Sequence, residues 1–154
     1  MRLENHYQNA YVTRDLDAAL DIFRTQYGFD GFKRMEVSYE LSTPRERGSA
    51  TVKLALGWID DVQYELIQPI CGLVDVYRES LDHQRPMRFH HACMRVPDWA
   101  AFRQQVQEEK RPVAIEGGTP GHLMWLYIDA RDTLGHYLEY CWMTPQRWAL
   151  IGGR

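Results

Sequence analysis

The sequence predicts an α+β fold: two strand–helix–three-strand (βαβββ) modules forming a curved mixed sheet around a cleft, with helices on the outer face. Three observations predict it. Short stretches alternate apolar and polar residues with a period of two, as half-buried strands do. Two stretches instead carry apolar residues at helical spacing, each just after a strand that ends in an aspartate. The passage from Gln8 to Leu16 is matched by the passage from His91 to Trp99, so that aligning Asp15 with Asp98 places Gln8 on His91. One such unit would leave a sheet face bare; two side by side cover it.

In chain order, a strand is expected over about Tyr7 to Thr13. A helix follows from about Leu16 to Tyr27, with Leu16, Ala19, Leu20, Phe23 and Tyr27 on one stripe and Gly28 after the last turn. Val37, Tyr39 and Leu41 alternate as a strand, and Thr43 to Gly48 reads as a charged loop. Ala50 to Trp58 is a strand, Asp60-Asp61 a turn, and Val62 to Gln68 a strand ended by Pro69. Val74, Val76, Tyr77 and Leu81 suggest a short amphipathic helix in the connection.

The second unit starts with a strand from Phe89 to Val96. Asp98 caps a helix running from about Trp99 to Glu109, with Trp99, Phe102 and Val106 on its apolar face and Pro112 beyond its end. Val113 to Glu116 is a short strand and Gly117 to Gly121 a loop. Leu123 to Asp129 and Tyr137 to Trp142 are the last strands, and the tail adds a helical turn carrying Trp148 and Leu150. The expected boundaries are therefore a first module at 1–70, a linker at 71–86, a second module at 87–145 and a tail at 146–154.

The composition excludes several classes. The 154 residues are 45% hydrophobic and 25% charged, which is ordinary for a globular chain and argues against disorder. A net charge of −3 gives no reason to expect nucleic acid or an anionic membrane as a partner. No apolar run approaches the length of a membrane span, and Met1 to Asn5 lacks the apolar region of a signal peptide. A cytoplasmic location is expected. Cys71, Cys93 and Cys141 are too widely spaced for a paired-cysteine metal motif and are expected to be buried, reduced thiols.

Four residues stand out on the expected cleft face. Gln8 and His91 lie on the opening strands; Glu65 and Glu139 lie on the closing strands, between Tyr64 and Leu66 and between Leu138 and Tyr140. A carboxylate in so apolar a strand is costly to bury without a cation or several donors. Taken singly, a strand glutamate is usually solvated and a strand histidine is usually a hydrogen-bonded core residue. The repeat changes that weighting, because it sets all four at corresponding points of two units. Two carboxylates, one imidazole nitrogen and one amide oxygen suit a divalent Zn, Ni, Co, Mn or Fe(II) ion.

The chain resembles the vicinal oxygen chelate superfamily, which includes glyoxalase I, methylmalonyl-CoA epimerase, extradiol dioxygenases and bleomycin-resistance proteins. The resemblance is carried by Gln8 to Ala19, Tyr64 to Pro69, His90 to Asp98, Asp129 and Gly135 to Tyr140. It implies paired βαβββ modules and metal ligands on the first and last strands of each. Those positions fall on Gln8, Glu65, His91 and Glu139, an order similar to that of animal-type glyoxalase I. Epimerases of the group usually begin with His, so His6, two residues before Gln8, is the alternative ligand if the strand slips by two. His90 is expected on the opposite face in a structural role.

The implied activity is that of a metal-dependent lyase or isomerase on a small carbonyl or acyl-thioester substrate, with Glu139 or Glu65 moving the proton. The alternatives are an extradiol-type Fe(II) dioxygenase, which would need His6 as a second histidine ligand, and a non-catalytic small-molecule-binding protein of the bleomycin-resistance kind. In that last case some of the aromatics Tyr39, Trp58, Tyr64, Trp125, Tyr127, Tyr137, Tyr140 and Trp142 would line a stacking cleft, the rest being core. A homodimer is a further implication.

Overall fold

Asp15 and Asp98 each begin a helix by accepting a hydrogen bond from the backbone amide three residues on, at Ala18 and Ala101 (3.1 and 3.0 Å). Each such cap contributes about 1 kcal/mol. The computed structural model describes residues 2–153. Its elements are β1 (His6–Thr13), α1 (Leu16–Gln26), β2 (Lys33–Ser42), β3 (Arg47–Ile59), β4 (Val62–Gly72), α2 (Asp75–Arg78) and β5 (Met87–Arg95). They continue with α3 (Trp99–Glu108), β6 (Val113–Thr119), β7 (Leu123–Ala130), α4 (Arg131–Leu134), β8 (His136–Met143) and α5 (Pro145–Leu150).

The strands form one barrel in the order β1-β4-β3-β2-β6-β7-β8-β5. Each unit pairs its first and last strands in parallel, β1 with β4 and β5 with β8. The units join where β1 runs antiparallel to β5. The opposite seam is short: β2 meets β6 only at Leu41↔Gly117 and Ser42↔Glu116. The α+β architecture of paired βαβββ units is thus present, with the curved sheet closed at this seam.

The alternation sorts two layers. Outward residues of the first unit, Ala55 and Leu66, are covered by Leu16, Ala19 and Phe23 of α1. Outward Met94, Leu138 and Tyr140 of the second unit are covered by Phe102 and Val106 of α3. Inward Ala10, Val12, Val52, Ile67 and Ile115 fill one end of the barrel, closed by Val76 and Tyr77 of α2. Among the described residues, no helix is long and apolar enough to cross a membrane.

Several expectations are corrected. β4 continues through Pro69, which pairs with Val52 beside a register shift between Thr51 and Val52. An irregularity tolerates a residue without an N–H. Gly117 to Thr119 belong to β6 rather than a loop. A Cβ on Gly117 would fall 2.5 Å from Trp125 and 2.9 Å from the Glu40 carbonyl oxygen, so β2 and β6 can meet there only at a glycine. Cys71 is exposed, because β4 runs on past the covered core, whereas Cys93 and Cys141 are buried. The short helix α4, ended by left-handed Gly135, was not anticipated.

Candidate metal centre

The four expected ligands come from two adjacent rows of the sheet. In one row Glu65 of β4 pairs with Ala10 of β1, which pairs with His91 of β5. In the next row Gln8 pairs with Cys93, which pairs with Glu139 of β8. Side chains of paired residues share a face, and here that face is the barrel interior. Ala10 and Cys93 stand between the functional residues, fully buried and small. They leave the larger side chains room to converge.

Glu65, His91 and Glu139 offer ligand atoms that all lie within 4.8 Å of one another. His91 Nε2 is 3.0 Å from Glu139 Oε2 and 3.6 Å from Glu65 Oε2. Despite those distances, His91 Nε2 has no hydrogen-bond partner. Among the described residues, the buried side-chain polar atoms without a partner are His91 Nε2 and Gln8 Oε1. Both belong to the ligand set inferred from the sequence.

His90 accounts for the free atom on His91. Its Nε2 lies 3.0 Å from the Val76 carbonyl oxygen, which can only accept, so Nε2 carries the proton. Its Nδ1 is then an acceptor, 2.8 Å from His91 Nδ1. His91 therefore donates from Nδ1 and turns an Nε2 lone pair toward the carboxylates. This corrects the placement of His90 on the opposite face. The β1–β5 register shifts between Ala10 and Tyr11, opposite His91 and Phe89, and both histidine side chains point inward.

Gln63 plays the matching part for Gln8. Gln8 Nε2 donates to Gln63 Oε1 at 2.8 Å, leaving Gln8 Oε1 free. Gln63 Nε2 in turn reaches the Ile151 carbonyl oxygen at 3.5 Å, and Trp58 Nε1 donates to the same oxygen at 2.5 Å. The C-terminal segment thereby helps to orient the Gln8 amide. Gln63 was not singled out in the sequence, where it reads as an ordinary strand position, and His90 was read only as a structural residue of the opposite face.

His6 is not part of this cluster. It is exposed, and its Nε2 contacts the Gln8 carbonyl oxygen (3.1 Å) and Asn9 Oδ1 (3.0 Å). It faces a separate hollow with Trp58, Arg95 and Trp148. The irregularity in β1 between His6 and Gln8 removes the two-residue periodicity that would have set them on one face.

Charge in the cluster is strongly coupled. Burial alone pushes His91 down, but the Glu139 and Glu65 carboxylates outweigh it and hold the imidazole up at about 9. Burial raises the Glu65 carboxyl, against the lowering effect of His91. Burial and the neighbouring His91 charge keep His90 well below the usual histidine range. Two carboxyl groups facing one imidazole lone pair favour a cation in the gap, either a proton on Nε2 or a metal ion. The mixed oxygen and nitrogen donors fit a divalent first-row ion.

Gln8, Glu65 and Glu139 line a cavity of about 670 Å³. Leu54, Leu56, Ile67, Tyr39, Tyr77 and Tyr127 are among its walls, with Arg47 and Arg147 toward solvent. The tyrosine hydroxyls are linked: Tyr39 to Tyr77 at 2.9 Å and Tyr77 to Tyr127 at 3.3 Å. Burial raises all three, so they are neutral hydroxyls at ordinary pH. Tyr39 and Tyr127 were legible as cleft aromatics; Tyr77 read only as part of a connecting helix.

No curated protein is a significant match in sequence. Solved structures share the fold. A Mycobacterium tuberculosis methylmalonyl-CoA epimerase is 16% identical, with 94% of this chain and 91% of that one covered and a TM-score of 0.61. A Streptomyces coelicolor methylmalonyl-CoA epimerase variant in complex with 2-nitronate-propionyl-CoA is 20% identical, with 94% and 97% covered and a TM-score of 0.65. A hypothetical protein from Bacillus halodurans C-125 is 16% identical, with 92% and 95% covered and a TM-score of 0.60. The family model described as glyoxalase/bleomycin resistance protein/dioxygenase superfamily matches residues 7–127. The chain belongs to that superfamily.

Proposed function

We propose that this protein is a metal-dependent isomerase or lyase of the glyoxalase type, acting on a small carbonyl or acyl-thioester compound. The observation that carries this reading is that Glu65, His91 and Glu139 bring ligand atoms within 4.8 Å of one another, that Gln8, Glu65 and Glu139 line one cavity, and that two buried atoms of this set, Gln8 Oε1 and His91 Nε2, have no hydrogen-bond partner. An unpartnered buried polar atom costs about 1–3 kcal/mol. Two of them beside two carboxylates are accounted for by a divalent ion, with Gln8, His91 and Glu139 as its ligands and Glu65 as a fourth ligand that is displaced to act as the base.

Such an ion supplies Lewis acidity to a substrate carbonyl oxygen and stabilises the negative charge that develops there. The chain's own residues do the rest. Glu65, whose carboxyl is raised by burial, takes the proton from the carbon beside the carbonyl and returns it to the carbon framework. Glu139, closer to His91, serves as a ligand. Leu54, Leu56 and Ile67 keep bulk water from the reacting carbon. Arg47 and Arg147 have no ion-pair partner among the described residues and suit an anionic tail on the substrate. An acyl-CoA is one such compound, and acyl-CoA derivatives occupy like-folded epimerases.

The dioxygenase alternative is weaker on this geometry, because its second histidine would be His6, which is exposed and turned away. A homodimer is part of the proposed reading, on the resemblance alone; sedimentation checks the dimer. The direct test is metal analysis of protein purified without chelator, followed by titration with Zn, Ni, Co and Mn. Stoichiometric binding that raises the melting temperature is expected. No bound metal and no thermal response to any of the four would overturn the reading.

A further inference from the structure

Tyr39, Tyr77 and Tyr127 bring three hydroxyl protons to one wall of the cavity, yet form only two hydroxyl–hydroxyl hydrogen bonds. No other hydrogen bond to the outer two hydroxyls is present among the described residues. One O–H is therefore left to donate elsewhere. Its position follows from burial. Tyr127 is 4% exposed and Tyr77 2%, whereas Tyr39 is only partly buried. A free O–H at Tyr127 would be an unsatisfied buried donor, which is costly. The favoured direction is thus Tyr127 to Tyr77 to Tyr39, with the spare proton on Tyr39.

Tyr39 lines the same cavity as Glu65 and Glu139, and both carboxylates act on its hydroxyl electrostatically. Its ring is held edge-on against Trp125 at 5.5 Å between centroids. A phenylalanine would fill the ring's place but not accept the Tyr77 proton; that accepted bond accounts for the oxygen's lone pair and leaves its own proton without a partner. Resting on the metal-dependent reading above, we propose that Tyr39 is a catalytic hydrogen-bond donor to the substrate oxygen on which negative charge develops. Tyr77 and Tyr127 are positioning residues that polarise it through the hydroxyl chain. The substrate class this selects has an oxyanion-forming carbonyl that reaches the Tyr39 wall while its carbon faces Glu65.

The test uses the whole chain loaded with Co²⁺ and acetohydroxamate as a planar probe with two neighbouring oxygens. The visible bands of cobalt report binding of both. Tyr39→Phe should bind Co²⁺ as the wild type does but hold acetohydroxamate about tenfold more weakly, the loss of one charge-assisted hydrogen bond. Tyr77→Phe keeps the Tyr39 proton and removes the hydroxyl that polarises it, so a loss of about threefold is expected, on the scale of cooperative strengthening in such chains. It also serves as the second variant should Tyr39→Phe fold poorly, which a melting curve reveals. Probe affinity within twofold of wild type in both variants, with Co²⁺ binding intact, overturns the role of Tyr39 and leaves the metal reading standing. Absence of Co²⁺ binding by the wild-type chain overturns the metal reading and this assignment together.

Discussion

His90 Nδ1 lies 2.8 Å from His91 Nδ1, and the opposite nitrogen of His90 is tied to the Val76 carbonyl. Two adjacent residues of one strand thus form a relay from the short helix α2 to the candidate metal centre. It selects the tautomer of His91 that leaves Nε2 unprotonated when the ring is neutral. Replacing His90 by Phe preserves a ring and removes the acceptor. Metal affinity should fall about 10- to 100-fold, as for other losses of a partner behind a metal ligand. The orphaned Nδ1–H should cost about 1–3 kcal/mol of stability. Chelator competition and thermal melts measure the two effects; unchanged affinity would count against the tautomer assignment.

The carboxylates of Glu139 and Glu65 overcome burial and hold metal-free His91 at about 9. Below that value a proton occupies the place a metal ion would take. Apparent metal affinity should therefore rise with pH between about 7 and 9, by up to about tenfold per unit for one displaced proton, and flatten above. Isothermal titration in buffers of different ionisation enthalpy reads the released proton directly. The metal-free fold has the opposite dependence. A folded-state value above the ordinary 6.5 gives stability that is fully present below 6.5 and is lost as pH rises through about 9.

Gln63 holds the Gln8 amide with its nitrogen engaged and its oxygen free. Gln63→Leu removes the acceptor without touching a ligand. The Gln8 amide can then turn, and metal affinity should fall about tenfold. Gln8→Leu should lower it at least as much. A Gln63→Leu protein that binds metal like wild type would show that Gln8 needs no such support.

Ala10 lies between Glu65 and His91 in the sheet and is fully buried. Ala10→Val adds two methyl groups where the ligands converge. Overpacking of this kind costs about 1–3 kcal/mol, and the displaced carboxylate or imidazole should lower metal affinity more than tenfold on the scale of altered ligand support. Melting temperature and metal titration together decide whether both effects occur.

Much of this protein was legible in its sequence. The period-two stretches, the two capped helices and the Asp15–Asp98 match define paired units, because strand and helix periodicities depend on neighbours a few residues apart. The same alternation set Gln8, Glu65, His91 and Glu139 on one face, which is the barrel interior. What local patterning does not carry is irregular register. A bulge in β1 separates His6 from Gln8, and a second turns His90 inward beside His91. The arrangement of β2 against β6, the docking of Ile151 over Gln63 and the meeting of Tyr39, Tyr77 and Tyr127 join residues far apart in the chain. These were decided only by the closing of the barrel, since contacts between distant residues depend on how whole strands pair rather than on any one stretch. The sequence by itself determined the fold class and the candidate ligands; the tertiary structure decided which of their atoms are left free to bind.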